Sequence, residues 1–224
     1  MTRRSLALSL SFALAAFAPA AFAAQGDIEK VNGSITVDAS ERVGSLETVN
    51  GSINIGANAT TGSAETVNGS IRAAENVRVG GLETVNGSIR VEQQGQIGGD
   101  VETVNGSIYI GRGGDVRGGV ETVNGAIGIV DTDLSGGIAT VNGDVTVGAG
   151  SHVRGGLRID KPSKQWLTIN KPRIPRVIIG PDARVDGALV FEREVRLYVH
   201  ATAKTGPVTG ATAIAYSGAT PPQD

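Results

Sequence analysis

The chain has 224 residues, no cysteine and a formal net charge of −2. Disulfides and thiolate metal sites are therefore excluded, and the mild acidity argues against a nucleic-acid partner, which requires a basic face. With aromatics at only 4% against 33 glycines, the composition suits a thin solenoid better than a compact domain with a large-residue core.

The N-terminal residues 1–23 read as a secretory signal peptide. Arg3 and Arg4 form a basic start, Leu6 to Phe17 form an apolar stretch too short to span a bilayer, and Ala21-Phe22-Ala23 is a small-x-small cleavage site. Thr2-Arg3-Arg4 only loosely matches a twin-arginine signal, so the general export route is expected. No Cys follows to carry a lipid anchor, and no later stretch approaches the ~18 apolar residues of a membrane helix. The expected location is outside the cytoplasm: periplasm, cell surface or extracellular medium. Loss of Arg3 and Arg4 takes the formal charge from −2 to −4.

Residues 24–160 carry seven copies of one unit. Val-Asn-Gly begins at Val31, Val49, Val67, Val85, Val104, Val123 and Val141, at steps of 18, 18, 18, 19, 19 and 18 residues. Five copies continue as Ser-Ile; the sixth continues as Ala-Ile and the seventh as Asp-Val. Aliphatic residues recur in columns, among them Ile35, Ile53, Ile71, Ile89, Ile108, Ile127 and Val145, with Ser-Ile-x-Val alternating at period two as strands do. Helical repeats need some 33 residues or more. A shorter unit with brief strands and Gly-rich corners is one coil of an all-β, single-chain parallel β-helix. Seven coils stacked at the inter-strand spacing make a rod on the order of 30 Å.

Two polar columns accompany the aliphatic ones. Asn32, Asn50, Asn68, Asn86, Asn105, Asn124 and Asn142 are expected to stack as a structural amide ladder. The Asn-Gly pair either turns a corner with positive φ or lies within one bent strand whose Val, Gly and Ile face inward. The five Asn-Gly-Ser sequons coincide with the ladder and are not read as glycosylation sites. Glu47, Glu65, Glu83, Glu102 and Glu121, with Glu29 before them, form a column of like charges that is destabilising when stacked directly. It is read chiefly as a solvated face; bridging by Ca2+ is the alternative, and no other metal or cofactor is implied.

From Lys161 to Arg176 the pattern gives way to a basic, Pro-rich segment holding Trp166, the only tryptophan; it reads as an excursion and a candidate binding loop. Coil-like sequence resumes over 177–212 as further coils and a cap, and 213–224 reads as a disordered tail. No catalytic residue is assigned. His152 reads as part of a corner and His200 as part of a strand, neither with a motif around it, and Asp131/Asp133 and Glu192/Glu194 are acidic pairs two residues apart that on a strand share a face.

The Glu-Thr-Val-Asn-Gly-Ser-Ile coils resemble a bacterial adhesin-domain family of unknown function, and the segment Ile179-Gly-Pro-Asp-Ala-Arg-Val-Asp-Gly-Ala-Leu-Val-Phe resembles the polymer-forming bactofilins. The resemblances cover most of residues 29–210. They imply a right-handed β-helix without a catalytic site, while a six-residue Val spacing within the coils keeps the left-handed form open. The expected function is a non-enzymatic structural or interaction protein of the cell envelope, partnered by itself end to end or by envelope and surface components. The alternatives are an adhesin or glycan-binding module and, more remotely, a polysaccharide-acting enzyme or acyltransferase.

Overall fold

A computed structural model of the chain describes residues 26–162 and 173–222; the signal sequence, Trp166 and most of the Pro-rich segment lie outside the described residues. The described chain is a parallel β-solenoid with three sheets as its sides. Two sheets are ten strands deep and the third has seven strands, extended by the bridges Arg42↔Thr60 and Thr60↔Arg78. Every pairing is parallel and in register between equivalent residues of successive coils. Ten rungs, three more than the seven repeats supply, make nine turns and a stack of roughly 43 Å at the inter-strand spacing. Among the described residues no helix is long and apolar enough to cross a membrane.

Each coil is written in short strands. A five-residue strand such as Leu46–Asn50 lies in the first sheet, a three-residue strand such as Ile53–Ile55 in the second, and a two-residue strand such as Arg78–Val79 in the third. Inward positions repeat from coil to coil: Leu82, Val101 and Val120 on the first side, Ile89, Ile108 and Ile127 with Val91, Ile110 and Ile129 on the second, Ile97, Val116 and Leu134 on the third. All are essentially sealed from solvent. Each fully buried aliphatic side chain contributes about 1.5–3 kcal/mol, and stacking like on like lets branched side chains interlock without aromatic bulk.

The alternation in the five-residue strand rules out the reading in which the valine of Val-Asn-Gly faces inward. In Leu82–Asn86 it is Leu82 and Thr84 that face the core, while Glu83 and Val85 face outward. The valine column of Val-Asn-Gly is thus an outer column, and its first member, Val31, is 68% exposed. Counting by two from the buried leucine decides the phase: the intervening Glu cannot be buried, so Thr must be.

The Asn-Gly corner combines neither expected geometry in full. Only Gly33 of the seven pairs has positive φ (107°). Glycine is required instead by close approach between coils: a Cβ on Gly106 would lie 1.8 Å from the Gly87 carbonyl oxygen, and one on Gly87 would lie 1.9 Å from that of Gly69. The left-handed backbone falls at another corner, between the second and third sheets, at Ser40, Asn58, Asn76, Gln94, Gly113, Asp131, Gly150 and Asp182 (φ 47–72°).

The C-terminal region continues the same solenoid. The excursion leaves after Leu157–Ile159 and the chain returns at Arg176–Ile179, so Arg176 belongs to a strand rather than to the loop. Ala213–Tyr216, expected within a disordered tail, forms the last strand of the second sheet against Arg196–His200. Its small residues give a weak strand signal alone; the waiting edge of the preceding coil supplies the hydrogen bonds, and the Tyr216 hydroxyl reaches back to the Ile179 carbonyl at 3.4 Å.

Candidate functional site: the ladder faces

The Asn column lies at the corner after the first sheet. Each side-chain amide donates through Nδ2 to Oδ1 of the preceding coil's Asn: Asn50 to Asn32 at 3.1 Å, Asn68 to Asn50 at 2.9 Å, and Asn86, Asn105, Asn124 and Asn142 each at 3.0 Å. All donors point toward the N-terminal end, so the ladder is polar along the axis. Its last acceptor, Asn142 Oδ1, receives Nη1 of Arg193 at 2.8 Å, and the same guanidinium donates to the Val141 and Arg173 carbonyls at 3.0 and 2.8 Å. Arg193 comes from two coils further on and reaches across the coil whose Asn-Gly corner the excursion replaces.

Two hydroxyl columns support this corner. The serine Oγ of one coil accepts the serine N–H of the next, Ser52 to Ser34 at 3.2 Å and Ser107 to Ser88 at 3.2 Å, until Ala126 closes the series on Ser107. The next member, Asp144, does something different: Oδ1 accepts the Arg176 N–H at 2.9 Å and Oδ2 the Arg173 guanidinium at 2.7 Å. The seventh repeat's departure from Ser thus anchors the returning end of the excursion. Inside, Thr48, Thr66, Thr84, Thr103 and Thr122 each donate to a Gly carbonyl of the preceding coil at 2.8–3.1 Å. Thr140 is equally buried, but its hydroxyl has no partner.

That contrast gives a paired prediction. Thr103→Val should cost about 1 kcal/mol, because a buried hydrogen bond is lost. Thr140→Val should be neutral or stabilising by up to about 1 kcal/mol, because an unsatisfied hydroxyl is removed from the core. Urea denaturation of both variants reads the difference; equal destabilisation would show that hydroxyl pairing does not set these costs.

The Glu column runs down the outer face of the first sheet, with Glu47↔Glu65, Glu65↔Glu83, Glu83↔Glu102 and Glu102↔Glu121 in direct register. It borders a shallow groove beside the side-chain-free Gly80, Gly81 and Gly99, whose lining includes Glu65, Glu83, Asp100 and Glu102. Burial, followed by repulsion from Glu121, Glu83 and Asp100, raises the Glu102 carboxyl to about 7; Glu47, Glu83 and Glu121 are raised as well, burial again leading. Among the described residues no group of three or more His, Asp or Glu is placed to hold a metal ion. A straight column spaces its carboxylates one rung apart and does not converge three on one point, so the Ca2+ alternative gains no geometry. After Glu121 the column continues as Ala139, Arg158 and Val190.

The histidines fall apart from these ladders. His152 begins a strand of the third sheet, correcting its placement in a corner; Nε2 lies 2.8 Å from Asp186 and Nδ1 3.6 Å from Asp133. Arg184 ion-pairs with Asp186 and Arg154 with Asp133, so His152 sits in a surface charge network. Asp186 is held below the usual carboxylate range by its hydrogen bonds from Arg184 and then His152. His200 packs edge-on against Tyr216 at 5.0 Å and contacts Thr202.

The acidic pairs do not form shared strand faces. Asp131 occupies a left-handed corner while Asp133 begins a strand, and Glu192 and Glu194 lie in the connection between Leu189–Phe191 and Arg196–His200. Trp166, the candidate binding loop, lies outside the described residues. Arg193 and Asp144 were missed from the sequence; only the break in the Ser column at Asp144 signalled either. Set against known proteins, the chain matches no family model, no curated protein and no solved structure.

Proposed function

We propose that this chain is a non-enzymatic structural and interaction rod, exported to the bacterial cell envelope, that presents repeated lateral faces. The observation carrying the reading is the continuity of those faces: the Asn column runs in register through seven coils, the Glu column through six and the Ser column through five. A surface that repeats at every coil suits multivalent contact, where many weak equivalent contacts add, better than a single reaction centre. The N-terminal sequence supports export, and the likeness of the coils to the adhesin-domain family supports a surface or envelope role.

The proposal extends to self-association through the rod ends, since edge strands template further pairing unless they are covered. Sedimentation velocity on the chain beginning at Ala24, with and without Ca2+ and followed by negative-stain microscopy, tests it. Filaments or large assemblies support a self-associating scaffold. A single slow, elongated species removes self-association and leaves a monomeric adhesin-like rod. Turnover of a polysaccharide or acyl donor that is abolished by His152→Ala would overturn the non-enzymatic reading.

A further inference from the structure

The outer column of the second sheet changes character along the axis. Through the middle coils it runs Arg72, Arg90 and Tyr109, with the Arg90 guanidinium 4.5 Å from the Tyr109 ring centroid; over the last three rungs it becomes Ile178, Tyr198 and Ile214. Tyr198 lies between Leu197 and Val199, whose side chains face the other way, so by strand alternation it belongs to the solvent side. It is nevertheless only 4% exposed. The Arg176 guanidinium stacks on it at 4.8 Å, and Arg176 Nη2 donates to the Pro222 carbonyl at 2.5 Å. After the last strand the chain therefore turns back two coils and brings the Pro222 carbonyl to the guanidinium that covers Tyr198.

We propose that Arg176 and Tyr198 form a seat for a proline-containing peptide segment, occupied here by the chain's own C-terminal residues and open to exchange for a partner segment of the same chemistry. Four observations carry this. The segment 217–222 forms no strand, and the Arg176 guanidinium on the Pro222 carbonyl ties it to the solenoid instead of sheet extension. Pro-Pro favours the polyproline II conformation, whose carbonyls point outward without internal partners, and an aromatic face beside a hydrogen-bond donor is the general means of reading it. The seat is rigid: Arg176 begins a strand paired on both sides, and its N–H is held by Asp144. Finally, the own segment fits incompletely. Arg176 Nε is buried without a hydrogen-bond partner, and Ile214 beside Tyr198 remains 45% exposed. A segment offering a second acceptor to Arg176 and an apolar residue over Ile214 satisfies both.

The test uses a chain ending at Tyr216 and a fluorescein-labelled peptide of sequence Ser-Gly-Ala-Thr-Pro-Pro-Gln-Asp, copied from residues 217–224, read by anisotropy. The shortened chain should bind saturably. Arg176→Met, or replacement of both peptide prolines by alanine, should weaken binding about tenfold or more, and the full-length chain should bind about tenfold more weakly because its own segment competes. A folded shortened chain that shows no saturable binding, or binding indifferent to both changes, overturns the proposal. If the shortened chain does not fold, backbone 15N relaxation over 217–220 in the full chain decides. A heteronuclear NOE that falls in Arg176→Met, showing the segment released, supports the seat; an unchanged one overturns it.

Discussion

Gly106→Ala should be among the most damaging single substitutions in the chain, costing about 3 kcal/mol or more. The added Cβ would lie 1.8 Å from the Gly87 carbonyl oxygen and 2.5 Å from its carbon. The obstacle is backbone of the preceding coil, so no rotamer change relieves it; the corner must open or the coils must part. Parting the coils strains the Asn105–Asn86 amide bond and the Thr103 bond to the Gly87 carbonyl, which sit at the same corner. Overpacking alone costs typically ~1–3 kcal/mol, and broken hydrogen bonds add to it. The control is Gly128→Ala, on the outer face of the second sheet, where the nearest atom to a new Cβ is Tyr109 Cδ2 at 3.6 Å. That variant should fold with unchanged or slightly raised stability, because alanine loses less backbone entropy than glycine. Thermal unfolding of the two variants side by side makes the comparison. Equal, small effects would mean that the corner shifts at little cost and that the approach between coils does not require glycine there.

That distinction marks where sequence reading stops. The period of the repeat, the parallel stacking and the inward isoleucine column after Asn-Gly were legible because each is a property of residue spacing. The phase within Leu-Glu-Thr-Val-Asn was not. Valine is the more apolar residue, and only the carbonyl of the coil below shows how a buried threonine hydroxyl is satisfied. The role of glycine was hidden for the same reason: its constraint comes from a residue 18 or 19 positions away, not from its own φ. Arg193 is the extreme case. It is 51 residues from the amide it caps, and nothing in the sequence near Glu192-Arg193-Glu194 points to Asn142. Asp144 was visible as a departure from Ser, but its meaning needed the returning chain at Arg176. Contacts between equivalent positions could be read from the repeat; contacts made where the repeat is interrupted could not.

The Glu column should make the protein more stable at pH 5 than at pH 8, against the usual expectation for paired carboxylates. Burial and the neighbouring Glu121, Glu83 and Asp100 raise the folded Glu102 carboxyl to about 7, while the unfolded chain returns it to its ordinary value of 4.5. Above pH 7 the group is ionised in both states and the folded state carries the full penalty of the buried, repelled charge. As pH falls from 7 toward 4.5 the folded state takes up the proton first, so stability rises across that window and levels off below it. Glu47, Glu83 and Glu121 are shifted in the same direction. Asp186, held low by Arg184 and His152, opposes the trend only below the ordinary carboxylate range, outside the window. Because the column still touches solvent, the contribution of Glu102 is discounted to about 1–2 kcal/mol. Glu102→Gln, which keeps the shape and removes the charge, should therefore raise the melting temperature at pH 8 by roughly 3–6 °C and have much less effect at pH 5. Salt should narrow the gap at pH 8, since the repulsive part is screened within a Debye length. A wild-type melting temperature that is flat or falls between pH 8 and pH 5, with Glu102→Gln unchanged at both, would show that the stacked carboxylates carry no strain and that water alone accommodates them.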